Sequence, residues 1–96
     1  MADNYVLHLY IAGRTPAAER AIENLKELLK EASGEAAAYE LKVIDILENP
    51  QLAEDQRILA TPVVIKQLPP PVRRVVGDLS EQEKVLVGLD LKGDAP

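Results

Sequence analysis

Cysteine, tryptophan and phenylalanine are all absent from these 96 residues, and histidine occurs once, as His8. Without cysteine there is no disulfide, no thiol nucleophile and no thiolate zinc site. One histidine leaves a histidine-based metal cluster or a Ser-His-Asp arrangement short of partners, so His8 reads as a half-buried strand residue. Tyrosine, three times over, is the only aromatic residue, and the core is expected to be aliphatic, built of Val, Ile, Leu and Ala. Basic residues are outnumbered 11 to 16, for a net charge of −5, which argues against nucleic acid or an anionic membrane as main partner. No apolar run nears the ~18 residues that suggest a membrane span. The first residues also lack a signal peptide's charged start and apolar stretch. The expectation is a cytoplasmic protein with one small domain over 1–92 and a loose tail at 93–96.

What is present is regular aliphatic patterning. Residues 5–12, YVLHLYIA, predict a strand with Tyr5, Leu7, Leu9 and Ile11 on one face and Val6, His8 and Tyr10 on the other. Thr15 suits an N-cap, with Pro16 at the first helical position. Ala18, Ile22, Leu25, Leu29 and Ala32 then recur at helical spacing opposite Glu23, Lys26, Glu27 and Lys30, with Gly34 as the stop. Residues 39–47 predict a second strand, and a helix between two strands implies a βαβ unit with parallel strands. Asn49-Pro50 repeats the cap-and-proline device for a short helix reaching Leu59, ended by Thr61-Pro62.

Residues 63–67 and 72–77 predict a strand pair joined by Pro69, Pro70 and Pro71. Ser80-Glu81-Gln82-Glu83 matches a capping box, opening a last helix that buries Leu79, Leu86 and Leu89. Asp78, Glu81 and Glu83 complement the positive end of that helix. The order βαβαββα is that of a thioredoxin-like α/β domain. In that fold a cis-proline begins the third strand, where Thr61-Pro62 stands. The loop that carries Cys-x-x-Cys in redox members reads Gly13-Arg14-Thr15-Pro16 here, a scaffold without that chemistry.

Two segments carry alternatives. Proline fixes φ, donates no hydrogen bond and pushes its predecessor towards extended geometry, and X-Pro bonds exchange slowly between isomers. Pro62, Pro69, Pro70 and Pro71, between two packing segments, point towards a switch; a fixed turn is the plainer alternative. Residues 85–91, VLVGLDL, fit a half-buried strand with Val85, Val87, Leu89 and Leu91 on one face. They equally fit a helix with a Val85, Leu86 and Leu89 stripe. Gly88 in a helix costs about 0.8–1 kcal/mol relative to Ala, so Gly88→Ala is expected to favour the helix. The β-branched run Val63-Val64-Ile65 favours the thioredoxin-like arrangement.

The blocks YVLHLYIAGRTP, LKVIDILENPQLAEDQRILATP and LPPPVRRVVGDLSEQEKVLVGLDL are very similar to the KaiB family of circadian clock proteins, over most of the chain. The succession PPPVRR, GDLS, EKVL, GLDL is specific to it. The resemblance implies a metamorphic protein. One state is a homotetramer of βαββααβ subunits with 85–91 as a strand; the other is a thioredoxin-like monomer with that segment helical, the state favoured here. It implies a non-enzymatic binding module without cofactor or metal. The monomer docks on the N-terminal ATPase ring of the clock kinase KaiC, sequesters KaiA, antagonises KaiC autophosphorylation and competes with clock-output histidine kinases. Arg20, Lys42, Arg73 and Arg74 match partner-contact positions, and Pro62, Pro69, Pro70, Pro71, Gly88 and Asp90 match fold-switch positions.

From the residues alone, Arg73-Arg74 also reads as a solvated strand edge, Lys42 and Arg20 as solvated side chains, and Asp45 as a loop contact. Two rival functions stand beside the clock reading. One is a KaiB-like domain in stress or other signalling. The other is a cysteine-free glutathione-binding enzyme using the Thr61-Pro62 backbone with a Tyr10 or Thr15 hydroxyl.

Overall fold

Strand β1 (Asp3–Ile11) is the axis of a four-stranded sheet in a computed structural model that describes residues 3–32 and 37–91. Strand β2 (Ala37–Asp45) runs parallel to β1, with Leu7 opposite Leu41 and His8 opposite Lys42. Strand β3 (Val63–Leu68) lies antiparallel on the other side of β1, and β4 (Arg73–Val76) antiparallel to β3, giving the order β2-β1-β3-β4. The helices are α1 (Pro16–Ala32), α2 (Pro50–Asp55) and α3 (Gln82–Gly88). This is the thioredoxin-like order βαβαββα, and the ambiguous segment is wound, not extended. Peptide bonds Thr61-Pro62, Leu68-Pro69 and Pro70-Pro71 are cis. The expected stop at Gly34 and the tail at 93–96 lie outside the described residues.

The alternation along β1 divides the core as its sequence predicts. Tyr5, Leu7, Leu9 and Ile11, with Val64, pack against α1 and against Leu79, Val85, Leu89 and Leu91. Tyr10, Ile44, Val63 and Ile65 face the other way and are covered by Leu52 of α2 with Ile46 and Ile58. Each fully buried aliphatic side chain supplies about 1.5–3 kcal/mol, so the larger layer dominates. The core is not purely aliphatic: Tyr5 and Tyr10 are both 2% exposed. Tyr5 stacks on Tyr39 with centroids 4.9 Å apart. Two of the three tyrosines thus fill space that leucine or valine was expected to fill.

The element ends depart from expectation for local reasons. Thr15 does cap α1, its Oγ1 accepting from the Ala18 amide at 3.1 Å. Strand β2 stops at Asp45, short of Leu47, because the Asp45 carbonyl accepts from the amides of Glu48 and Asn49 in a tight turn. Asn49 does not cap α2; its side chain donates back to that same carbonyl at 3.0 Å. Helix α2 ends at Asp55, because Arg57 turns left-handed at φ 52°. Ile58 then turns inward and Leu59 outward, 96% exposed. The capping box at Ser80 does not form: the Ser80 amide donates to Asp78 Oδ1 at 3.2 Å, and α3 begins after Glu81, which makes no side-chain cap. The Asp78 carboxylate, two residues from Ser80 where Glu83 is three, outcompetes the longer-range box.

Candidate partner-binding surfaces

One end of the sheet gathers three loops, the one after β1, the one after β2, and the one leading into β3. Asp45 ties the first two together. Its Oδ1 accepts from the Gly13 amide at 3.1 Å and the Leu47 amide at 2.9 Å. It is thus a loop organiser, as its place at a strand's end predicts. Gly13 needs no side chain, sitting at φ 77° with Leu47 Cδ1 3.4 Å from where a Cβ would be. In the first loop the Gly13 N–H is held by Asp45, and Thr15 Oγ1 accepts from the Ala18 amide.

Strand parity sorts the sequence-nominated basic residues into two groups. Lys42, two residues from Ile44, and Arg74, paired with Ile65, lie on the sheet face that carries α2. Arg73, paired with Lys66, lies on the opposite face, the side of α1 and α3. Arg20 projects from α1 to Asp78 Oδ2 at 3.6 Å, an exposed pair worth little by itself. Lys42 sits on the edge strand β2 and Arg74 on the edge strand β4, so the four residues do not converge on one site.

Arg74 has a structural task. Its guanidinium donates to the carbonyls of Gln56 at 3.0 Å and Arg57 at 3.3 Å, just past the C-terminus of α2. A cation suits that end of a helix. Lys42 acts on His8 across the strand pair: burial foremost, then the Lys42 charge, holds the imidazole below its ordinary range, with Glu40 opposing. Burial pushes the neighbouring Tyr10 hydroxyl up, against the Arg74 charge.

The sequence did not single out the exposed apolar residues. Leu47 is 69% exposed and Leu59 96%; both flank α2, and Leu59 borders a groove of about 570 Å³ with Ala53, Glu54, Arg57 and Ile58. Their signal was hidden because each lies at the end of an apolar run that reads as core. Among the described residues no group of three or more His, Asp or Glu could hold a metal ion, and no helix is long and apolar enough to cross a membrane.

Of the positions that the sequence nominates for fold switching, Pro62 is buried at the start of β3, Pro69 is half-buried, and Pro70 and Pro71 are exposed at the β3–β4 corner. Gly88 ends α3, and a Cβ there would stand 2.6 Å from Val75 Cγ2 of β4. The expectation that Gly88→Ala favours this arrangement therefore meets a counterweight: the helix gains, but the Val75 side chain has to shift to admit the methyl group. Asp90 follows in the left-handed region at φ 54°.

The KaiB domain profile matches residues 8–91. The chain belongs to the KaiB family. It is 60% identical over 87 residues to the circadian clock oscillator protein KaiB of Microcystis aeruginosa, covering 91% of this chain and 82% of that relative. Against the KaiB protein of Prochlorococcus marinus subsp. pastoris the identity is 59% over 91 residues, 94% and 82% of the two chains. In shape this KaiB-family chain resembles the N-terminal domain of SasA from Synechococcus elongatus, with a TM-score of 0.74 and 27% identity over 91% of this chain and 82% of that one. Mitochondrial thioredoxin 3 from Saccharomyces cerevisiae superimposes with a TM-score of 0.71 at 12% identity, over 92% and 78% of the chains, a likeness of fold alone.

Proposed function

We propose that this KaiB-family chain is a non-enzymatic binding module that docks on the N-terminal ATPase ring of KaiC and there captures KaiA, antagonising KaiC autophosphorylation. The observation that carries the reading is the wound 82–88 segment, with Val85 and Leu89 in the core. In the family that arrangement is the docking one. The likeness to the SasA N-terminal domain supports competition, since two modules of one shape can contend for one surface. A second arrangement, tetrameric with 85–91 extended, is the undocked counterpart. A ligand that binds one arrangement shifts the balance by its differential affinity.

The face that carries α2 suits the contact. Lys42 and Arg74 supply charge at its two edges, and Leu47 and Leu59, which flank α2 in the chain, supply exposed apolar anchors. Interfaces combine desolvated apolar residues with arginine in this way.

Purified KaiC ATPase ring, incubated for hours with the chain and run on a sizing column, should co-elute with it. Leu59→Asp should weaken that complex by about tenfold or more, roughly 1.4 kcal/mol. If the intact chain never co-elutes, the clock assignment fails and a signalling role with another partner takes its place.

A further inference from the structure

Lys66 is the one charged side chain that is buried among the described residues, 1% exposed. It is the fourth residue of β3, opposite Leu7 on β1 and Arg73 on β4. Two residues from Val64, it points to the same face, the larger core in which Val64 meets Val85, Leu89 and Leu91. Its Nζ donates to one acceptor among the described residues, the carbonyl of Asp90 just beyond α3, at 3.4 Å. That exceeds the usual 2.7–3.2 Å of a good N–H···O bond. Among the described residues no ion pair to a carboxylate compensates it; the pairs Arg14–Glu19, Arg20–Asp78 and Lys84–Glu81 lie elsewhere, on the surface.

We infer that Lys66 works against the docking of α3, holding the 80–91 segment close to release from the sheet. An ammonium taken out of water loses far more hydration than one long hydrogen bond returns. A cation at a helix C-terminus gains from the helix dipole, but a helix of seven residues offers little of it. The penalty exists only while α3 and the turn after it cover the ammonium. Once the segment lifts, Lys66 regains water and the penalty vanishes. The apolar contacts of Val85, Leu89 and Leu91 supply the opposing attraction.

The backbone around α3 points the same way. Leu79 before it and Asp90 after it sit in the left-handed region, at φ 62° and 54°. Such a conformation is unfavourable for residues with a side chain. Release of the segment relieves both. The inference goes beyond partner identity and holds whichever protein docks, so its test involves no KaiC.

Amide hydrogen exchange of the full-length chain reads local release directly. The useful probes are the hydrogen-bonded amides of Val85, Leu89 and Leu91. Lys66→Met keeps the length of the side chain and removes the charge. It should slow exchange at these three amides by about tenfold, equivalent to about 1.4 kcal/mol, with a smaller change at Leu7 and Leu9 of β1. Lys66→Gln, neutral but still polar, should slow them by less, and carries the same test if the methionine variant does not fold. Unchanged or faster exchange at 85–91 in the neutral variants would overturn the inference. It would make the bond to Asp90 a net anchor of α3.

Discussion

A methyl group added at Gly88 meets Val75, a β-branched side chain with few rotamers into which to retreat. The helix gains about 1 kcal/mol from alanine, and overpacking costs about 1–3 kcal/mol. Gly88→Ala should therefore lower the stability of this arrangement by about 0–2 kcal/mol, read from urea denaturation. A clear rise in midpoint would show that Val75 yields and helix propensity prevails. From the residue's own neighbours in sequence only the propensity term is legible. The opposing term comes from a residue on another element. Asp45 is the contrasting case, because its role in joining loops follows from its place at a strand's end and needs only the amides that fold over it.

Helix α2 has six residues, too few to hold itself, so it persists through what it touches. Leu52 and Ile58 fasten it to the sheet, and Arg74 takes the carbonyls at its C-terminus. Arg74→Met retains the apolar stem and removes both hydrogen bonds. The expected loss is about 0.5–1.5 kcal/mol per bond at most, confined to α2. It should show as faster exchange at the amides of Gln56 and Ile58 with α1 unaffected. A loss of KaiC binding without this local change would instead make Arg74 a direct contact. The double arginine was legible in the sequence as an edge or a contact, but the carbonyls that Arg74 serves lie 17 and 18 residues back and only folding brings them near. Helix α1, by contrast, was readable in nearly every detail. Its apolar stripe and the Thr15-Pro16 start are local signals, and the stripe merely widens to include Ala21 and Leu28.

For the whole molecule, the single histidine sets a pH dependence. His8 is held below its ordinary value of 6.5, first by burial and then by Lys42. As pH falls, the unfolded chain takes up this proton before the folded one, so stability declines from about 6.5 downward until the folded histidine also titrates. The urea midpoint should fall over that window, and His8→Gln should flatten the part of the slope that the carboxylates do not supply. An identical slope in the variant would remove His8 from the account. The balance between the two faces of the sheet is also a property of the whole. Alternation in β1 and the β-branched start of β3 announced both faces, but not the placing of a lysine inside one of them. By itself the sequence determined the lack of thiol chemistry, the order of strands and helices, the amphipathic α1 and the family, because composition, period and caps act over a few residues. Only the tertiary structure decided that 85–91 is wound, that Lys66 is enclosed and that Leu59 is bare. Residues 85–91 fit either period, so the choice falls to residues remote in sequence, Val64 and Val75 among them, which meet the segment only once the sheet exists.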